Sequence, residues 1–211
     1  MSMKNNIKPF KSFETKAPYE IEIKKSVFIT EAKMVLSTDE ASEFIDNIRK
    51  KHPKATHNVI AYRISHGGLQ EKADDDGEPA GTSAMPILNA IKYNDLTNVV
   101  VVVTRYFGGI KLGAGGLSRA YMSATTGAIE ASGIREFKEY QNFKISLTYD
   151  LYDIVLNYLN NNKIKILSNE FKEKVEIQLT VPIEDYEELY KYLINLTSAR
   201  AQIEKGDVVL R

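Results

Sequence analysis

The sequence contains no cysteine. Disulfides, thiolate metal sites and cysteine nucleophiles are therefore excluded, and the absence fits a reducing compartment. No apolar run approaches the roughly 18 residues that a membrane-spanning helix needs. The first residues, MSMKNNIKPFKSFETKAP, hold no apolar segment of the signal-peptide kind. The expectation is a cytoplasmic protein with no membrane partner. Net charge is missing too, with 28 basic and 28 acidic residues. Dividing the chain after Arg135 leaves 18 basic and 15 acidic residues before it, and 10 and 13 after it. That balance lacks the strong basic bias of a protein that coats nucleic acid, so any such contact must come from a local patch. There is no internal repeat and no low-complexity segment.

What is present suits one large or two small globular domains: 211 residues, 43% apolar and 27% charged. Residues 1–18 are polar, with a start expected to be poorly ordered. Residues 19–24 and 27–36 alternate as half-buried strands do. Ser37 or Thr38 caps a helix to about Lys51, with Ala41, Phe44, Ile45 and Ile48 on one face, and Pro53 ends it. A strand follows at 57–65 and another at 69–73. Thr82 or Ser83 starts a helix to Tyr93, with Met85, Leu88 and Ile91 expected in the core. Five consecutive valines, Val99 to Val103, read as a strand buried on both faces, and residues 117–132 read as a helix stopped by Gly133. The order is ββαββαβα, an α+β domain over 1–135 with a mixed sheet and helices on one face. After a charged junction, REFKEYQ, residues 140–211 read as βαββαβ, the ferredoxin-like order.

The valine strand runs into the most informative segment, TRYFGGIKLGAGGLSRAY. Gly108, Gly109, Gly113, Gly115 and Gly116 stand between a strand and a helix start, among the cations Arg105, Lys111 and Arg119. A strand, a glycine-rich loop and a helix N-terminus together present backbone N–H groups to anions. The alternative is that glycine merely permits a tight connection. The loop is not a dinucleotide fingerprint, because Ser118 occupies the third glycine position, and it lacks the Lys-Ser or Lys-Thr of a Walker loop.

A second cluster, Asp74, Asp75, Asp76 and Glu78, sits in a turn set by Gly77 and Pro79. Such carboxylates either hold a divalent cation or form a solvated acidic turn. The EF-hand spacing fails, since Met85 stands where the bidentate glutamate belongs. His52, His57 and His66 have no ligand partner at helical spacing, so no metal site and no cofactor is expected. Ser118 lacks a nucleophile elbow. No catalytic set is complete, and the chain is read as a non-enzyme. Tyr106, Phe107 and Tyr121 either stack on bases or pack in the core. Glu184, Asp185, Glu187 and Glu188 open a helix, where its dipole favours them.

The stretches THNVIAYRI (56–64), DDDGEPAGTSAMPIL (74–88) and VVVVVTRYFGGIKLGAGGLSRAY (99–121) together resemble the IMPACT family, in its bacterial YigZ-like form. One departure is Val59, where many relatives carry cysteine. The resemblance implies a first domain with the fold shared by a small-subunit ribosomal protein domain and the fourth domain of elongation factor G. It implies a second domain similar to that factor's fifth. It also implies translation regulation through RNA, the ribosome or a protein of the translation machinery. Two alternatives stay open. One is a phosphotransfer or hydrolytic enzyme using the glycine loop and acidic turn with Mg²⁺. The other is a protein–protein adaptor. The two loops are expected to face a common cleft. The oligomeric state is not legible.

Overall fold

The computed structural model describes residues 8–211. The expectation of a poorly ordered start falls largely on residues outside that range. The chain divides into two compact units, one built on Phe10–Glu136 and the other on Phe137–Arg211.

The first unit runs β1 (Phe10–Ser12), β2 (Tyr19–Ile23), β3 (Ser26–Met34), α1 (Thr38–Lys51), β4 (His57–Ile64), β5 (Gln70–Asp74), α2 (Ala84–Tyr93), β6 (Val99–Tyr106) and α3 (Ala114–Ser132). Five of its strands form one sheet in the order β2-β3-β6-β4-β5. Every pairing in it is antiparallel, so the expected mixed sheet is corrected. β6 lies at the centre. Its alternate valines serve two separate cores. Val99, Val101 and Val103 pack with α2 and α3, while Val100 and Val102 pack with Ala41, Ile45 and Ile48 of α1. Helices therefore cover both faces of the sheet, not one. This is why five valines in a row can stand in an antiparallel strand without a polar face.

Local signals fix the helix ends. Ser37 Oγ accepts from the Glu40 N–H at 3.2 Å, and Glu40 Oε2 accepts from the Leu36 N–H at 2.9 Å, a reciprocal cap for α1. Met85 projects from the first turn of α2 and is 42% exposed, while Ile87, Leu88 and Ile91 carry the core contact. α3 begins at Ala114, three residues before the periodic pattern starts. Its first turn is glycine-rich and carries little apolar signal.

The second unit follows β7 (Arg135–Phe137) with β8 (Glu139–Leu147), α4 (Tyr149–Asn161), β9 (Lys165–Phe171), β10 (Val175–Pro182), a short 3₁₀ turn (Ile183–Asp185), α5 (Tyr186–Leu196) and β11 (Gln202–Leu210). The sheet order β11-β8-β10-β9 with antiparallel neighbours is the ferredoxin-like arrangement. Its core joins Phe143, Ile145, Leu147, Ile177 and Leu179 of the sheet to Leu151, Val155 and Leu159 of α4 and Leu189 and Leu193 of α5.

Candidate functional site

The antiparallel register gathers several element ends at one edge of the first sheet. Val27 at the start of β3 pairs with Tyr106 at the end of β6, His57 at the start of β4 pairs with Arg105, and Asp74 at the end of β5 pairs with Ile60. The acidic turn leaves from this edge and leads into α2. The glycine loop leaves from it and leads into α3. Both motifs are therefore neighbours, as the sequence suggested, but their chemistry differs from the expectation.

The acidic turn is committed to holding the fold. Asp75 caps α2: Oδ1 accepts from the N–H groups of Ser83 and Ala84 at 3.0 and 2.7 Å, and Oδ2 accepts from the Gly81 N–H at 2.6 Å. Asp76 Oδ2 accepts from the Asn58 N–H at 2.6 Å, and its Oδ1 meets Arg49 at 3.4 Å. Asp74 Oδ1 accepts from the Asp76 N–H. Glu78 is buried, and its Oε1 accepts from Arg105 Nη1 at 2.6 Å and from the Tyr121 hydroxyl at 2.8 Å. His57 donates from Nδ1 to the Asp76 carbonyl at 2.7 Å, which leaves Nε2 facing Glu78 Oε2 at 3.8 Å. Among the described residues no three acidic or histidine side chains are grouped to hold a metal ion.

Arg105, expected among the anion-binding cations, lies inside the domain. It is 5% exposed, neutralised by Glu78, with its guanidinium 5.5 Å from the Phe28 ring centre and 5.4 Å from that of Phe107. Burial, with the Glu78 carboxylate beside it, pushes the Tyr121 phenol well above its ordinary range. Tyr121 is thus a core residue bonded to the acidic turn, not a base-stacking platform. In the first turns of α3, Ser118 Oγ donates to the Thr82 carbonyl at 3.1 Å. The two motifs are joined by these bonds, so Asp75 and Asp76 point at backbone N–H groups and not into a cleft shared with the glycine loop.

The glycine loop divides by role. Gly108 packs so closely on the Lys25 carbonyl that no Cβ fits there, and its N–H donates to Ser26 Oγ at 3.2 Å. Gly113 caps α3 at φ 73°, a conformation that suits glycine, and Gly109 shares that region at φ 84°. Gly116 lies close against Leu112. Gly115 has none of these reasons: a Cβ there would meet only the Arg119 guanidinium, at 3.5 Å. Gly113, the N-cap residue of α3, has no side chain to offer its N–H groups, and no acidic residue stands in the first turn. Because α3 starts at Ala114, Arg119 sits in the second turn, not the first, and its side chain reaches back over Gly115. Lys111 and Arg119 are exposed, and neither makes an ion pair among the described residues.

Two cations escaped the sequence reading. Lys24 and Lys25 form the two-residue turn between β2 and β3, both at positive φ (48° and 64°). Such a turn normally takes Asn-Gly. The only signal was the Lys-Lys pair between two alternating strands. Lys24 lines a depression of about 320 Å³ with Ile23, Leu112, Gly116, Arg119 and Ser123.

Comparison with known proteins agrees with these motifs. The family model described as the Impact N-terminal domain matches residues 24–129, and a domain of unknown function (DUF1949) matches residues 145–200. The chain is similar to "IMPACT family member YvyE" of Bacillus subtilis (strain 168), at 37% identity over 90% of this chain and 88% of that protein. It is similar to "IMPACT family member YigZ" of Escherichia coli (strain K12), at 28% identity over 86% of this chain and 90% of that one. A solved structure described as a hypothetical protein superposes with a TM-score of 0.60 at 26% identity, covering 95% of this chain and 98% of the other.

Proposed function

The chain belongs to the IMPACT family, and from that premise we propose that it is a binding and regulatory protein of translation that engages RNA or the ribosome through the start of α3. One observation carries the reading: the N-terminus of α3, whose N-cap Gly113 has no side chain to occupy its N–H groups, is flanked by Lys111 and Arg119, two exposed cations with no ion pair among the described residues. Unoccupied N–H groups with flanking positive charge favour phosphate. The start of α2 differs, since the Asp75 carboxylate already occupies its N–H groups.

The enzyme alternative draws less support. It needs the acidic turn to hold Mg²⁺, yet Asp75 and Asp76 spend oxygens on backbone N–H groups and Glu78 is neutralised by Arg105. Family membership favours the cytoplasm, where that machinery works. No described helix is long and apolar enough to cross a membrane.

The test is the double change Lys111→Ala with Arg119→Ala. Both side chains are exposed, so folding should be unaffected. Co-sedimentation with ribosomes and binding to RNA should fall at least ten-fold. The salt dependence should flatten by about one unit of slope for each phosphate that the variant no longer holds. Unchanged binding and slope would leave the glycine loop a purely structural connection.

A further inference from the structure

We infer that the depression between the β2–β3 turn and the flank of α3 receives one unpaired nucleotide of a single-stranded RNA. This deepens the reading above and rests on it.

The depression has two kinds of wall. Ile23 and Leu112, both partly buried against the main core, make it apolar, while Lys24 and Arg119 bring positive charge to its rim. Neither cation is tied to a carboxylate among the described residues. The glutamates of β2 do not approach from the same side: Glu20 and Glu22 alternate onto the face opposite Tyr19, Ile21 and Ile23, the residues that pack with α3. An apolar floor under an unneutralised cationic rim suits a ligand with a flat apolar part and an attached anion, which describes a nucleotide. At about 320 Å³ the depression lies at the lower end of ligand-pocket sizes, roughly 300–1,000 Å³, enough for a single base with its sugar.

A single strand fits better than a duplex. Bases in a duplex are stacked and paired and cannot enter a recess, whereas an unpaired base can be splayed out and laid against an arginine plane. Arg119 lies between the depression and Gly115 at the α3 start. One strand can therefore place a base in the recess and its neighbouring phosphate on the open helix terminus. The Lys25 carbonyl lies so close to Gly108 that the backbone next to Lys24 is packed against the glycine loop.

The test compares a fluorescein-labelled ten-nucleotide oligouridylate with a ten-base-pair RNA duplex, binding to the full chain over a salt series. Ser123 is exposed on α3 and lines the depression, so Ser123→Leu fills it without entering the core. Expected is a loss of at least five-fold for the single strand with duplex affinity unchanged within two-fold. Lys24→Ala should flatten the single-strand salt slope by about 0.7. If Ser123→Leu binds both RNAs as the parent does, or if Lys24→Ala leaves the slope unaltered, the inference is overturned while the proposed function survives. If polyglutamate displaces the single strand as effectively as unlabelled oligouridylate does, the site takes acidic peptide and the inference is likewise overturned. If the parent binds neither RNA nor ribosomes, the proposed function itself fails.

Discussion

Removing the carboxylate of Glu78 should damage the first unit more than any other single change at the sheet edge. Arg105 and Glu78 are side by side at 2.6 Å with side chains 6% and 3% exposed. Glu78→Ala strands the guanidinium in the interior with only the flanking rings and one distant hydroxyl, Ser26 Oγ at 3.4 Å. Breaking a buried pair from one side costs about 3–5 kcal/mol, chiefly the penalty of the uncompensated charge. Against a total domain stability of about 5–15 kcal/mol, that is a large fraction. The pair need not stabilise relative to an apolar substitute, so the double change Glu78→Leu with Arg105→Met should cost far less than the sum of the single ones. Urea unfolding of the full chain, followed through the amide signals of β6, reads the first unit separately from the second. A loss under about 1 kcal/mol for Glu78→Ala, or strict additivity in the double variant, would refute the picture of an enclosed ion pair.

Three further outcomes follow from the same edge. Asp75→Ala removes three cap bonds and should cost about 1–2 kcal/mol, with faster amide exchange at Ser83 and Ala84 as the readout. Tyr121 keeps its proton in the folded state above the pH, about 10, at which the unfolded chain releases it. The unfolded state then binds fewer protons, so its contribution is whole below pH 10 and declines by about 1.4 kcal/mol per pH unit above it. Tyr121→Phe should therefore be destabilising at neutral pH, and its deficit in urea unfolding should shrink between pH 10 and 11; a constant deficit would contradict the buried phenol. Gly115→Ala should raise stability by roughly 0.5–1 kcal/mol, since alanine suits a helix better and its Cβ would make only an ordinary contact with the Arg119 guanidinium, while weakening RNA binding; unimpaired binding would count against the α3 start as the RNA-binding surface.

The sequence made the strand and helix order legible because its signals were local. The five valines, Ser37 before α1 and Gly133 after α3 each decide their own element. Where the expectation failed, the deciding interaction was distant. No local pattern tells on which face α1 will pack, since that depends on Val100 and Val102 meeting Ile45 and Ile48 across the sheet. Arg105 looked like a surface cation because nothing near it in sequence reports Glu78, 27 residues earlier. Asp75 looked like a candidate ligand because its partners are backbone N–H groups, which carry no residue-type signal. The glycines were ambiguous for the same reason: Gly108 answers to Lys25, 83 positions away in the chain.

The two family-like motifs thus divide the work in a way their spacing conceals. The acidic turn carries most of the charge but uses it inward, capping α2, closing β4 and enclosing Arg105. That inward use fixes the end of β6, from which the glycine loop departs, and the Tyr121 and Ser118 bonds fix the first turns of α3. The glycine loop uses Gly109 and Gly113 at positive φ to turn the chain, and leaves Lys111 and Arg119 exposed. A binding site needs rigid support and unsatisfied groups together. On the proposed reading, the first comes from the acidic motif and the second from the α3 start with its two exposed cations. Changes in the acidic turn should therefore lower stability and binding together, whereas changes at Lys111 and Arg119 should lower binding alone.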